Sequence, residues 1–428
     1  MTDRTGTSRR TFLGTSAAVG GALAGGLGFV PSVFARGSDA LKVGLIGCGG
    51  RGTGAVENIL EAAGTTYGIK IHAMADAFED RARNCFEATQ KNPKAEGKLD
   101  ITPERVFVGL DAYQKVIDSC DLVILATPPG FRPQHIEAVV KAGKHLFTEK
   151  PVAVDGTGIR KVLAAAEEAK KKNIAVVAGT QRRHQAPYIE SIKMIRDGAI
   201  GDLVTARVYW NQGNIWAVPR KDDWSDMEAQ IRNWYHYTWL CGDHIVEQHV
   251  HNLDVANWAY GAHPVAAYGQ GGQQVNRAPE YGESYDHFAV EFEYPDGQVI
   301  SSQCRQIAGT DANVSETIVG TKGTWTSNGY RFGGGATGRV RERGINPYVQ
   351  EHVDLLESIT NGKPLNELQQ VAESTMTAIL GRLSAYTGKR LTWDEALNAP
   401  LDTFPKTLTW DAKLPEAKVA VPGVYTIS

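Results

Sequence analysis

Between residues 242 and 254 the chain reads Gly-Asp243-His244-Ile-Val-Glu247-Gln248-His249-Val-His251-Asn-Leu-Asp254, a dense run of titratable side chains. On one continuous helix, Glu247, His251 and Asp254 lie 3, 7 and 10 positions from His244. That spacing predicts four polar groups on one face, with Val246, Val250, Leu253 and Asn257 opposite. An imidazole with an ordinary pKa of about 6.5 suits proton exchange with a hydroxyl, which makes His251 the candidate base and Glu247 or Asp254 the groups that orient hydroxyls. The same residue types could bind a metal, but His249 points well round the helix from His244 and no HExxH spacing occurs, so no metal is assigned. Upstream, Trp234-Tyr235-His236-Tyr237-Thr-Trp239, with Trp210, Asn211 and Trp216, combines flat rings with polar edges, which suits a sugar. Arg182 and Arg183 could orient a substrate or pair with Asp243 or Glu247.

A second chemistry-bearing stretch lies near residue 50. The apolar strand Leu41–Ile46 runs into Gly47-Cys48-Gly49-Gly50-Arg51-Gly52 and then into the helix-like Ala55–Leu60. Strand, glycines and helix in that order predict a tight turn, close backbone approach to a pyrophosphate, and anion binding at a helix N-terminus. The next strand, Lys70–Ala75, ends at Asp76, whose carboxylate can accept from both ribose hydroxyls and repel a 2′-phosphate. NAD is therefore expected rather than NADP. Thr127 and Pro128 end a later strand, and they stand with His135 where the dinucleotide is expected to run.

These residues need a scaffold. After the first strand, Arg105–Val108, Asp121–Ala126, His145–Phe147 and Ala175–Ala178 read as strands, and Asp111–Ser119, Gln134–Ala142 and Gly158–Lys172 as helices. Such alternation predicts an α/β fold with an N-terminal, doubly wound parallel Rossmann sheet over residues 40–180. Beyond it, a helix at Tyr188–Asp197 and strands at Val204–Trp210, Val265–Gln270, Phe288–Tyr294, Val299–Gln306 and Ser315–Val319 predict an α+β domain over 181–400. Its sheet should be open and mostly antiparallel. Helices Tyr348–Thr360 and Leu368–Thr387 are expected to pack back on the first domain, and 401–428 to form a tail. Gly333-Gly-Gly335 reads as a mobile loop.

Thr148-Glu149-Lys150-Pro151 follows Ala142-Gly-Lys-His-Leu146. With Gly47–Gly52 and Asp76, this resembles the glucose-fructose oxidoreductase, inositol dehydrogenase and rhizopine-catabolism (Gfo/Idh/MocA) family, and the similarity runs over residues 40–400. The resemblance implies that Lys150 stands beside the nicotinamide and the reacting carbinol, that Glu149 belongs to the cofactor site, and that Pro151 follows a cis peptide. The family's acid, Gly, His and Asp fall on Glu247, His249, His251 and Asp254. Glu for the commoner Asp, and His249 for Gly, are departures that bear on the substrate. The implied activity is NAD-linked hydride transfer with a carbohydrate or cyclitol-like polyol. Lys150, His251 and Glu247 would be catalytic, and Arg182, Tyr235, His236, His244 and Asp254 would bind the substrate. Two rival readings are an NAD-dependent glycoside hydrolase that oxidises C3 transiently and eliminates, drawing on His236, Tyr235, Tyr237, His244 or His249, and a non-enzymatic sugar or NAD sensor.

At the start, Ser8-Arg9-Arg10-Thr11-Phe12-Leu13 precedes an uncharged stretch to Phe34 and resembles a twin-arginine signal over residues 1–35. Export to the periplasm through that machinery, already folded around a resident cofactor, is the expectation. With 45 Lys+Arg against 48 Asp+Glu and a net charge of −3, the chain lacks the broad basic field that nucleic acid requires. Five widely spaced cysteines contain no CxxC pair and suggest neither a disulfide scaffold nor a zinc ribbon. The open sheet edge points to a homodimer or homotetramer.

Overall fold

Short, mostly apolar strands alternate with amphipathic helices through the first half, and this pattern produces a parallel sheet covered on both faces. The computed structural model describes residues 40–341 and 343–427, so the signal-like segment lies outside the described residues. The first sheet contains β1 (Leu41–Ile46), β2 (Ile69–Asp76), β3 (Val106–Val108), β4 (Leu122–Leu125), β5 (His145–Thr148) and β6 (Val176–Ala178). The strand order is β3-β2-β1-β4-β5-β6, all parallel, so the order reverses between β1 and β4. Ligands of such sheets bind outside the carboxyl ends of the strands at that reversal.

Helices α1 (Gly50–Ala63), α2 (Glu79–Gln90), α3 (Tyr113–Ser119), α4 (Arg132–Lys141) and α5 (Gly156–Lys171) flank the sheet. Helix α2 leaves little trace in the sequence, because its twelve residues bury only Ala82, Cys85 and Thr89 and give almost no apolar periodicity.

The second half begins with α6 (Ala186–Arg196) and β7 (Leu203–Gln212), followed by α7 (Asp226–Arg232), α8 (Thr238–Cys241), α9 (His244–Glu247) and α10 (Val250–Tyr260). Then come β8 (Ala266–Gly272), β9 (His287–Glu293), β10 (Val299–Gln306), β11 (Asn313–Gly320), β12 (Gly323–Thr326), β13 (Arg331–Gly334) and β14 (Gly338–Arg339). The chain closes with α11 (Pro347–Thr360), α12 (Leu368–Thr387), β15 (Leu391–Thr392) and α13 (Trp393–Asn398). The nine strands are ordered β14-β13-β12-β11-β7-β10-β9-β8-β15, and they are antiparallel except for the central β7/β10 pair. The expected loop at Gly333–Gly335 is corrected: Gly333 and Gly334 belong to β13, where β12 supplies the ladder partner.

The last helices pack against elements of the first sheet. Leu355 and Leu356 of α11 join the core under β1 and β2, while α12, buried along nearly its whole length, lies between α5 and the open sheet. Its Arg382 is 1% exposed and donates to the carbonyls of Gly242 at 2.9 Å and Val154 at 2.8 Å, tying the two halves together. Among the described residues, no helix is long and apolar enough to cross a membrane.

Burial keeps several imidazoles neutral. His135, His249 and His352 are pushed down to about 3 and His145 to about 4, with desolvation the leading cause each time. In the unfolded chain these rings titrate near about 6.5. Lowering the pH from 6.5 toward 4 therefore protonates the unfolded chain but not the fold, and stability falls by up to about 1.4 kcal/mol per ring per pH unit. His184 has the opposite sign. Burial would lower its pKa, but Asp354 and Glu367 outweigh it and raise the ring to about 10, so its contribution is full below 6.5 and is lost as pH rises toward 10. We expect the thermal midpoint, followed by circular dichroism, to drop steadily from pH 6.5 to 4.5. An unchanged midpoint over that range would contradict the buried neutral rings.

Candidate active site

The turn after β1 admits only glycine at two points. Gly47 has φ +96°, and a Cβ on Gly52 would lie 1.8 Å from the Gly47 carbonyl oxygen, so helix and strand meet through a gap that no side chain could occupy. Gly49 and Gly50 face open space, and Gly49 caps α1 with no side-chain bond, which leaves the first-turn N–H groups free to receive an anion. Asp76, at the end of β2, accepts from the backbone N–H of Cys48 at 2.7 Å and of Phe78 at 2.9 Å. Burial raises its pKa, and those two N–H groups partly offset the rise. This cradle fits a dinucleotide: the N–H groups would hold the pyrophosphate and Asp76 the ribose.

Arg51 stands at the mouth of the cradle. Its Nε lies 2.9 Å from Glu149 Oε1, its Nη2 donates to Asn58 at 2.8 Å, and its guanidinium lies 5.1 Å from the Tyr348 ring centre. Thr127 Oγ1 is 3.3 Å from His135 Nδ1, and His135 stacks on Phe131 and meets Tyr113. His135 thus stands behind Thr127 as a buried member of a ring stack.

Lys150 follows β5 and precedes Pro151 through a cis bond. Its Nζ donates to the Glu247 carbonyl at 2.5 Å and to Glu247 Oε2 at 3.1 Å, joining the parallel sheet to α9. Burial raises the Glu247 pKa, opposed by the Lys150 and Arg132 cations. His251 stacks on Trp210 with centroids 5.8 Å apart and an interplanar angle of 25°, and its ring nitrogens have no hydrogen-bond partner among the described residues. Desolvation first, then Lys150 and Arg182, hold its pKa well below the usual value, so the ring is a neutral acceptor. Lys150 thus contacts Glu247 directly and lies close enough to His251 for its charge to act on the ring.

The single polar face is corrected. The helix breaks at Gln248–His249: the His249 N–H reaches five residues back to the His244 carbonyl, and His249 Nε2 pairs with Ser302 Oγ of β10 at 2.7 Å. The break separates His244 and Glu247 on α9 from His251 and Asp254 on α10, so the four no longer share one continuous face, and His244 and Asp254 are engaged by other partners. His244, 1% exposed, contacts Asp243 and the Tyr285 carbonyl and packs on Phe288. Asp254 takes Arg183 Nε at 2.9 Å and Ser374 Oγ at 2.7 Å. Of the two roles open to the arginines, neither arginine pairs with Asp243 or Glu247: Arg183 holds Asp254, and Arg182 pairs with Glu316, which also receives Asn252 and Tyr188. Arg182 lies under Trp210 and Tyr188, and so supports the pocket wall from behind. Tyr235 bonds Gln306 at 2.8 Å, and His236 Nε2 lies 2.9 Å from the Trp216 carbonyl oxygen. Among the described residues, no group of three or more His, Cys, Asp or Glu is placed to hold a metal.

Arg132, which with His135 follows Pro128-Pro129 at the strand end where the sequence places the cofactor, is buried and donates to the Pro151 carbonyl at 2.5 Å, so it positions the Lys150 turn; burial pushes its pKa down to about 10. One feature has no counterpart in the sequence reading: an aromatic cover at the ends of β2 and β4, where Phe78, Phe131 and Trp239 meet Phe404 and Trp410 of the C-terminal segment. Arg232 of α7 lies 3.9 Å from the Phe78 ring centre and also reaches Asp80 at the start of α2.

Comparisons with known proteins agree with this geometry. A model of an oxidoreductase family with an NAD-binding Rossmann fold matches residues 41–177, and the GFO/IDH/MocA C-terminal domain matches 188–326. An inositol 2-dehydrogenase of Rubrobacter xylanophilus is 25% identical over 67% of this chain and 71% of that protein. A glycosyl hydrolase family 109 protein of Streptomyces coelicolor is 26% identical over 47% of this chain and 44% of its own length. The crystal structure of scyllo-inositol dehydrogenase from Lactobacillus casei with NAD(H) and scyllo-inositol superposes with a TM-score of 0.62 at 18% identity, covering 83% of this chain and 99% of that one, a likeness of fold. With both domains matched in order and the glycine cradle and Lys150 in place, the chain belongs to the Gfo/Idh/MocA family of NAD(P)-dependent oxidoreductases.

Proposed function

We propose that this protein is an exported oxidoreductase that moves hydride between a carbinol of a carbohydrate or cyclitol and a retained NAD. The observation that carries the reading is the convergence of Lys150, Glu247 and neutral His251 at the strand ends beside the glycine cradle. NAD, when bound, supplies the hydride acceptor or donor. His251, unprotonated, accepts the hydroxyl proton, and the Lys150 ammonium stabilises the negative charge that develops on the oxygen. Glu247 fixes Lys150 and offers its carboxylate to a neighbouring hydroxyl. The inositol dehydrogenases among the relatives support a polyol substrate.

Retention of the cofactor is supported by the aromatic cover, which closes over the side of the cleft marked by Asp76. Export rests on the twin-arginine resemblance alone. The hydrolase reading is favoured by the family 109 relative. Its extra acid and base are harder to supply, because Tyr235, His236, His244 and His249 are each committed to partners inside the protein.

Replacing Lys150 by Met should lower turnover by about 10²- to 10⁴-fold while leaving NAD affinity intact, measured by absorbance at 340 nm and by calorimetry. Equal turnover in the variant would remove Lys150 from the chemistry. The purified protein should carry NAD or NADH, quantified after denaturation, and Trp410→Ala should release it roughly three- to tenfold faster. A nucleotide-free protein that exchanges added NAD within seconds would refute retention.

A further inference from the structure

β7, whose Trp210 lies on His251, leaves the sheet through the uncharged run Gln212-Gly-Asn-Ile-Trp216-Ala-Val-Pro219. Trp216 remains 45% exposed although it is firmly supported. Trp234, Tyr235 and His236 meet it at centroid distances of 5.9, 6.0 and 6.3 Å with interplanar angles of 64°, 61° and 79°, so none covers it by stacking. The His236 ring also bonds the Trp216 carbonyl, fixing the loop from below.

Tyr235 links this platform to the chemistry. It is buried, meets the Trp216 ring at a centroid distance of 6.0 Å, and is close enough to Glu247 for the carboxylate to add to the effect of burial in raising the phenol. The surroundings are polar but uncharged. Gln212 spends its oxygen on Trp210 Nε1 at 3.0 Å, which leaves its NH2 to donate, and Asn214 joins the Tyr281 hydroxyl at 3.2 Å. The nearest cation in sequence, Arg220, is paired with Asp226 at 2.6 Å. A rigid, exposed indole face rimmed by amide and hydroxyl groups complements the apolar face and the hydroxyl edge of a sugar ring.

We propose that Trp216 is the floor of a second sugar subsite, so that the substrate is a glycoside or oligosaccharide whose reacting ring lies at Lys150, Glu247 and His251 while the adjoining ring stacks on the indole. This rests on the oxidoreductase reading above and deepens it. A free cyclitol or monosaccharide would be held by the inner groups and would leave the platform unused. The adjoining ring would take no part in the oxidation.

The test uses the holoenzyme with matched probes: glucose, galactose and myo-inositol against cellobiose, lactose and p-nitrophenyl glucosides and galactosides. Single-turnover reduction of the bound NAD is followed at 340 nm. Two-ring probes should show about a tenfold higher second-order rate constant for that reduction than one-ring probes. Trp216→Ala should erase that advantage by raising the half-saturating concentration while leaving the one-ring values unchanged, and Trp216→Phe should keep most of it. The inference is overturned if one-ring and two-ring probes react alike in the wild type, if the Ala variant weakens both classes equally, or if its effect follows a change of oligomeric state in sedimentation. In those cases the oxidoreductase reading stands. If no probe reduces the cofactor, that reading fails and takes the subsite with it.

Discussion

The site depends on one contact, the Lys150 ammonium held against Glu247, made between residues 97 positions apart and with side chains only 11% and 10% exposed. A buried pair of this kind loses hydration on both partners, so its net contribution to stability is small, but removing one partner strands the other and costs about 3–5 kcal/mol. Its geometry is imposed from both sides. Arg132 holds the Pro151 carbonyl immediately after Lys150, and Arg382 holds Val154 on one side of the interface and Gly242 on the other. Two buried guanidiniums therefore set where the lysine turn and the α9 segment meet, and the ion pair forms between parts already in register.

Most of the charges around the pocket are paired inside the protein, Arg132 on the Pro151 carbonyl being the exception. Arg182 is matched by Glu316, Arg183 by Asp254 and Arg51 by Glu149, each carboxylate being almost wholly buried. Pairing satisfies these cations inside the protein and removes them as anchors for an anionic ligand. What remains facing the cleft is the Lys150–Glu247 pair, an uncharged imidazole and a tryptophan, a set better suited to hydroxyl groups than to carboxylate or phosphate.

The parts legible in the sequence were those whose physics is local. Gly47 and Gly52 follow from a turn that needs positive φ and a gap too small for a side chain, and Lys150 sits in a four-residue motif, so each could be located without knowing the rest of the fold. The polar stripe from His244 to Asp254 was misjudged because the interruption at Gln248–His249 has no Gly or Pro to announce it and is secured by Ser302, 53 residues away. The partners of the two arginines were equally invisible: Glu316 lies 134 positions from Arg182 and enters only when β11 pairs with β7. The strand at Gly333–Gly334 shows the same limit, since glycine has no strand preference and the ladder with β12 decides the outcome.

The same burial that makes the pair costly also tunes the proton chemistry. An isolated imidazole is the stronger base and an isolated carboxylate the weaker. Here desolvation lowers His251, with Lys150 and Arg182 adding to the effect, while desolvation raises Glu247 against the pull of Lys150 and Arg132. The two groups thus move toward one another in basicity. A proton accepted by His251 is poorly held beside two cations and has a downhill tendency to leave, and a carboxylate with a raised pKa nearby is a competent place for it to rest. Lys150 is the common element, because it weakens the imidazole and steadies the carboxylate at once. Moving its ammonium away would relieve only part of the depression of His251, which burial and Arg182 still hold down, and would let burial raise Glu247 further, so the carboxylate would lose its charge before the imidazole gained one.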